Sequence, residues 1–170
     1  MKIQDSGNRR KFKSGAVRDI AEGKGRCDLL PLDTISMLFN NDYILKKIDS
    51  YIYTGDTRYL ADVIRHFSTA RYKSSFTAIL EVAKHYEDGC NKYGERNWQK
   101  GIDLHCYIDS GVRHYLKFLR GDKDEAHDRA FLWNMLGALW TQEHKPELID
   151  LPFGDKKKRH LEVKAKEEVC

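Results

Sequence analysis

No proline interrupts residues 32–145, and across that span apolar residues recur every three or four positions. Proline removes a backbone donor and clashes with the preceding helical turn, so its absence leaves the whole span free for helix. A spacing near 3.6 is the pattern by which a helix turns one face to a core. No apolar–polar alternation is long enough to build a sheet. The expectation is an all-α chain: a single domain of five or six helices. They fall at 32–39, 42–53, 57–68, 76–93, 104–119 and from about 125 onward.

The 170 residues suit one domain with a sizeable core. Residues 1–13 are polar and read as a flexible segment, 14–153 as the helical domain, and 154–170 as a charged tail. No apolar run approaches the roughly 20 residues of a membrane span, and the N-terminus has no secretory apolar region. The four cysteines (27, 90, 106 and 170) show neither C-x-x-C nor zinc spacing, as expected of reduced thiols in the cytoplasm. The net charge of +4 is concentrated in residues 9–13 and 156–159, so it argues against a nucleic-acid partner.

The polar residues that interrupt the helical stripes are the functional suspects. On 76–93 the apolar side reads Phe76, Ile79, Leu80, Ala83, Tyr86 and Cys90, and Glu87 lies inside it. A buried carboxylate must be paired, hydrogen-bonded or metal-bound. Glu81, His85, Asp88 and Lys92 form a second stripe, read more simply as a solvated face. On 104–119 the core stripe is Ile108, Val112, Tyr115, Leu116 and Leu119; Asp109 sits at its edge, within one turn of Arg113, and His114 points away. Asp109 either meets a neighbouring helix or pairs internally with Arg113. The last helix is apolar nearly all round from 130 to 140, the mark of a central helix, with His127 and Asn134 on one small-residue face. Those two form a core pair or bind something. Ahead of all this, Gly23-Lys24-Gly25-Arg26 offers backbone N–H groups and two cations to a phosphate, or is a plain turn.

Five blocks in order, SGAVRD, GKGRCDLLP, HYEDGCNKYGERNWQKG, CYIDSGVRHYLKFLRG and DEAHDRAFLWN, resemble a phage-associated family. It is named for the N-terminal domain of a dATP/dGTP diphosphohydrolase and is akin to the MazG-type all-α nucleotide pyrophosphohydrolases. The resemblance covers 14–152, with 40–75 as a helical insertion. It implies hydrolysis of a (deoxy)nucleoside triphosphate, a purine dNTP by the family's name, to monophosphate and pyrophosphate in phage nucleotide-pool control. It also implies Mg²⁺ or Mn²⁺ held by carboxylates, a homo-oligomer, and the host cytoplasm. The implied metal ligands are Glu87, Asp109, Asp124 and Asp128, with Glu87, Asp109 and His127 catalytic. The implied nucleotide contacts are Lys24, Arg26, Lys92, Asn97, Trp98, Arg113 and Asn134.

The sequence departs from the MazG pattern of ExxE on one helix and ExxD on the next. Its first helix offers Glu81, Glu87 and Asp88, and its second offers Asp109. A phage protein that sequesters a nucleotide or signal without cleaving it would use the same pocket.

Overall fold

The computed structural model describes residues 7–154. Six helices carry the fold: α1 (Leu32–Leu38), α2 (Tyr43–Thr54), α3 (Thr57–Tyr72), α4 (Ser75–Tyr93), α5 (Leu104–Arg120) and α6 (His127–His144). Three short 3-10 turns, Cys27–Leu29, Asn97–Lys100 and Pro146–Leu148, link or flank them. The all-α expectation holds, and the helices begin and end within a few residues of where the periodicity placed them. Sequence chemistry explains several ends. The Asp42 carboxylate accepts from Leu45 N at 2.8 Å and Asp56 accepts from Arg58 N at 3.0 Å, so both act as N-caps.

A two-stranded antiparallel hairpin was not expected. It comprises β1 (Arg9–Lys11) and β2 (Val17–Asp19), with Arg10 opposite Arg18. Residues 9–11, read as part of a flexible segment, are therefore strand. Three-residue strands of charged composition have no alternation to detect. Of the proposed tail at 154–170, only Gly154 falls within the described residues.

α6 lies at the centre, with Ala130, Phe131, Leu132, Asn134, Met135, Gly137, Ala138 and Thr141 all buried. α3, α4 and α5 pack against it, and Leu136, Leu139 and Trp140 are left half-buried. α5 and α6 approach closely because two glycines leave room. A Cβ at Gly137 would lie 2.3 Å from the Tyr107 ring, and one at Gly111 would lie 2.4 Å from Met135 Cε.

α4 buries a different face from the one its apolar spacing suggested. Ala78, Val82 and His85 face inward, whereas Phe76 (83% exposed), Leu80 (70%) and Ile79 (58%) face outward. Among the described residues no helix is long and apolar enough to cross a membrane.

Candidate functional site

The hairpin and the loop after it are fastened over α5 by a set of polar clasps. Asn97 grips β2 with both ends of its amide, accepting from Val17 N at 2.9 Å and donating to Val17 O at 2.7 Å. Lys92 and Arg9 both reach Asp19, at 2.7 and 3.0 Å. On α5 the buried Asp109 carboxylate accepts from Cys27 N at 2.7 Å and pairs with Arg113 Nη2 at 2.5 Å. Arg113 then donates onward to the carbonyls of Lys24 (3.3 Å) and Gly25 (2.9 Å). The Gly-Lys-Gly-Arg loop thus turns carbonyl groups toward a guanidinium, and its Lys24 side chain is left exposed.

Between this roof and α4, α5 and α6 lies a cavity of about 230 Å³. Arg18, Lys24, Arg96, Arg113 and Lys117 bring positive charge to its wall; Asp19 and Glu125 are the carboxylates there. Many of these charges are already compensated: Asp19 by Arg9 and Lys92, Arg113 by Asp109, and Lys117 by Asp124 at 3.0 Å. Three of the cations are not. Among the described residues Arg18 donates only to neutral oxygens, Cys106 O at 3.2 Å and Asn134 Oδ1 at 3.1 Å, and its guanidinium lies 5.4 Å from the centroids of the Tyr107 and Trp133 rings. Lys24 and Arg96 meet no carboxylate among the described residues. Tyr86, Tyr93, Trp98 and Trp133 add flat apolar surface to the same wall. Uncompensated cations beside aromatic faces suit a polyanion that carries a planar ring.

At the α5–α6 side of the cavity two histidines meet. His114 Nδ1 lies 3.0 Å from His127 Nδ1, and His127 Nε2 lies 2.7 Å from Asp124 Oδ1. The carboxylate accepts from Nε2–H and thereby fixes the His127 tautomer. The hydrogen bond from His127, reinforced by Lys117, holds Asp124 down at about 2. Burial drives His114 well below the ordinary histidine value, and the neighbouring His127 adds to the effect. Glu125 sits beside the pair without a hydrogen bond to its carboxyl among the described residues, and burial raises its pKa. His85, also on the cavity wall, is pushed down to about 4 by burial and then by Arg18 and Arg129.

The residues expected from the sequence are therefore redistributed. Lys24, Asn97, Trp98, Arg113 and Asn134 do line the cavity. Asn97 and Arg113, however, have their donors engaged by the backbone and by Asp109, and the Asn134 amide is held between Arg18 and Ala130 O. Arg26 turns away to a bidentate pair with Asp28, at 2.7 and 2.6 Å, and Lys92 is spent on Asp19.

The four expected metal ligands do not converge. Glu87 is exposed on α4, because the face that carries Ala83 is the outer one. Asp109 is consumed by Arg113 and Cys27 N, and Asp128 by Arg71 Nε at 2.8 Å. Only Asp124 reaches a cluster with His127, and Asn134 is not the partner of that histidine. His114, expected to point away from the core, turns into the cavity wall. Sequence reasoning also passed over Glu125, Trp133 and Arg96; the run Asp124-Glu125-Ala126-His127 was the available signal.

Residues 70–151 match the family described as dATP/dGTP diphosphohydrolase, N-terminal. No curated protein and no solved structure matches the chain.

Proposed function

From the match of residues 70–151 to that family, we propose that the chain hydrolyses (deoxy)nucleoside triphosphates in the cavity beneath the hairpin. The family's name assigns nucleotide hydrolysis; purine dNTPs as substrates, and monophosphate and pyrophosphate as products, are the reading proposed for this chain. The observation that carries it is the trio of uncompensated cations, Arg18, Lys24 and Arg96, on a wall shared with Trp98 and Trp133. A triphosphate would lie along the cations and its base against the indoles.

In the reaction, a water oxygen forms a bond to the α-phosphorus. The bond from that phosphorus to the bridging oxygen breaks, pyrophosphate leaves with the bridging oxygen and its electron pair, and the proton lost by the attacking water passes to solvent. The chain's own part is to bind and orient: Arg18, Lys24 and Arg96 offset phosphate charge, and the Asp109–Arg113 clasp keeps Lys24 over the cavity. A divalent cation such as Mg²⁺ or Mn²⁺, when bound, would neutralise further charge and activate the water.

The test is to incubate the protein with each dNTP plus Mg²⁺ or Mn²⁺ and to identify the products. Monophosphate and pyrophosphate in equal amounts support the reading, with dATP and dGTP preferred; release of inorganic phosphate, or of nothing, rejects it. The dispersal of Glu87, Asp109 and Asp128 favours a second reading, nucleotide sequestration without cleavage, which predicts binding with no pyrophosphate released.

The setting proposed is control of the phage nucleotide pool in the host cytoplasm, by a homo-oligomer. The outward Phe76, Ile79 and Leu80 of α4 are where a second copy would dock. Phe76→Ser with Leu80→Ser should then reduce the mass seen by light scattering; an unchanged mass counts against that surface.

A further inference from the structure

Three side chains where α5 meets α6, His114 and Glu125 on the cavity wall and the buried His127 against His114, are arranged as metal ligands that the carboxylate pattern of the sequence did not suggest. His114, Glu125 and His127 each offer a ligand atom, and all three atoms lie within 4.8 Å of one another. The two imidazole Nδ1 atoms are 3.0 Å apart. Two nitrogens each about 2.1 Å from one ion and at right angles to each other would be about 3.0 Å apart.

His127 is oriented for this role from behind. Its Nε2–H points to Asp124 at 2.7 Å, and Lys117 anchors the carboxylate at 3.0 Å. A carboxylate that receives the far N–H of an imidazole directs the near nitrogen's lone pair at a metal and raises its basicity. Glu125 supplies the oxygen donor. Its carboxyl, half-buried on the cavity wall beside the two imidazoles, has no hydrogen-bond partner among the described residues and so is not committed elsewhere.

The competing clusters are weaker. Asp122 and Asp124 are exposed or half-exposed and already paired with Arg120 and Lys117. In the group Asp103, His105 and Cys106, the His105 ring is bonded to Asp150.

We propose that His114, Glu125 and His127 bind one divalent transition-metal ion of the Mn²⁺, Co²⁺ or Zn²⁺ class at the wall of the cavity, in preference to Mg²⁺. Two imidazoles and one carboxylate form a borderline donor set, which suits those ions; Mg²⁺ demands oxygen ligands and retains its water. The ion would lie on the same wall as Lys117, within the cavity that also holds the uncompensated cations, and would present its remaining positions to a phosphate oxygen or water. The inference deepens the hydrolase reading and rests on it only for that consequence.

The experiment uses the full chain, stripped with a chelator and free of nucleotide. It is titrated with Mn²⁺, Co²⁺ or Mg²⁺ alone by calorimetry, and the Co²⁺ form is examined by NMR. The expected result is about one Mn²⁺ or Co²⁺ per chain, with Mg²⁺ at least about tenfold weaker. Hyperfine-shifted N–H signals should appear from two ligating histidines. Glu125→Gln, which breaks no hydrogen bond in the described structure, should weaken Mn²⁺ binding by at least about 100-fold, and Asp124→Asn by about 10- to 100-fold. Glu87→Gln should leave binding unchanged.

The proposal is overturned if no ion binds, if Glu125→Gln binds as the wild type does, if Mg²⁺ binds as tightly as Mn²⁺, or if no histidine signal is shifted. The two readings fail separately. Tight Mn²⁺ binding lost in Glu125→Gln, in a protein that cleaves no dNTP, retains the metal site and removes the hydrolase. Pyrophosphate release by a protein whose Mn²⁺ affinity is indifferent to Glu125→Gln does the reverse.

Discussion

Asp109→Asn separates a clasp from a catalytic ligand. The Asp109 side chain is 6% exposed and the Arg113 side chain 16%, so the pair lies largely out of water, and among the described residues the guanidinium makes no other ion pair. Removing one partner of a buried pair strands the other and costs about 3–5 kcal/mol. At roughly 2–4 °C per kcal/mol for a chain of this size, the melting temperature should fall by about 6–20 °C. The Cys27 N–H also loses its charged acceptor, which loosens the loop that carries Lys24. The KM for nucleotide should therefore rise, while kcat per folded molecule, measured well below the melt, should stay close to wild type. In an Arg113→Gln background the same substitution should cost much less, because no cation is left to strand. Melting by circular dichroism and pyrophosphate release on the same samples give both readouts. An unchanged melting temperature with turnover abolished would refute the clasp and make Asp109 a ligand or base.

Two further outcomes follow from the packing. His85 has a folded pKa of about 4 against 6.5 for the free side chain, so the unfolded chain takes up its proton first as the pH falls. Stability from keeping His85 neutral is complete above about pH 6.5 and is lost progressively toward about pH 4, by up to roughly 3 kcal/mol. His85→Phe should flatten that part of the curve in urea midpoints taken across the range, and an equal acid loss in both proteins would show that the histidine does not titrate this way. Gly137→Ala places a methyl 2.3 Å from the Tyr107 ring and should destabilise by about 1–3 kcal/mol or more through forced separation of α5 and α6; a melting temperature within error of wild type would mean that the helices yield freely.

The helices could be read in the sequence because each amphipathic stripe is local information. α6 was clearest, since a helix apolar on all sides has only one place to go. α4 shows where that reasoning stops. Phe76, Ile79, Leu80 and Ala83 make a stripe as regular as Ala78, Val82 and His85, and only the neighbouring helices decide which face is covered. Choosing the larger side chains put Glu87 inside when it is outside. Asp109 presented both options, pair or ligand, and its one-turn spacing from Arg113 proved to be the better guide. His114 and His127 are thirteen residues apart on different helices, so their meeting depends on how α5 crosses α6. The hairpin was hidden for another reason: its second strand is held through polar contacts, Asn97 to Val17 and Lys92 to Asp19, rather than by an apolar face.

The measurement closest to the central claim is a titration with a non-hydrolysable dATP analogue, followed through the fluorescence of Trp98 and Trp133 on the cavity wall. Lys24 and Arg96 are exposed and meet no carboxylate among the described residues, so replacing both by Gln should leave the melting temperature almost unchanged. If the cavity holds the triphosphate, that double variant should bind the analogue at least about tenfold more weakly, because two charged contacts are lost. The wild-type affinity should also fall as salt rises. Equal affinity in the variant and the wild type, with the fluorescence change intact, would place the nucleotide somewhere other than this cavity.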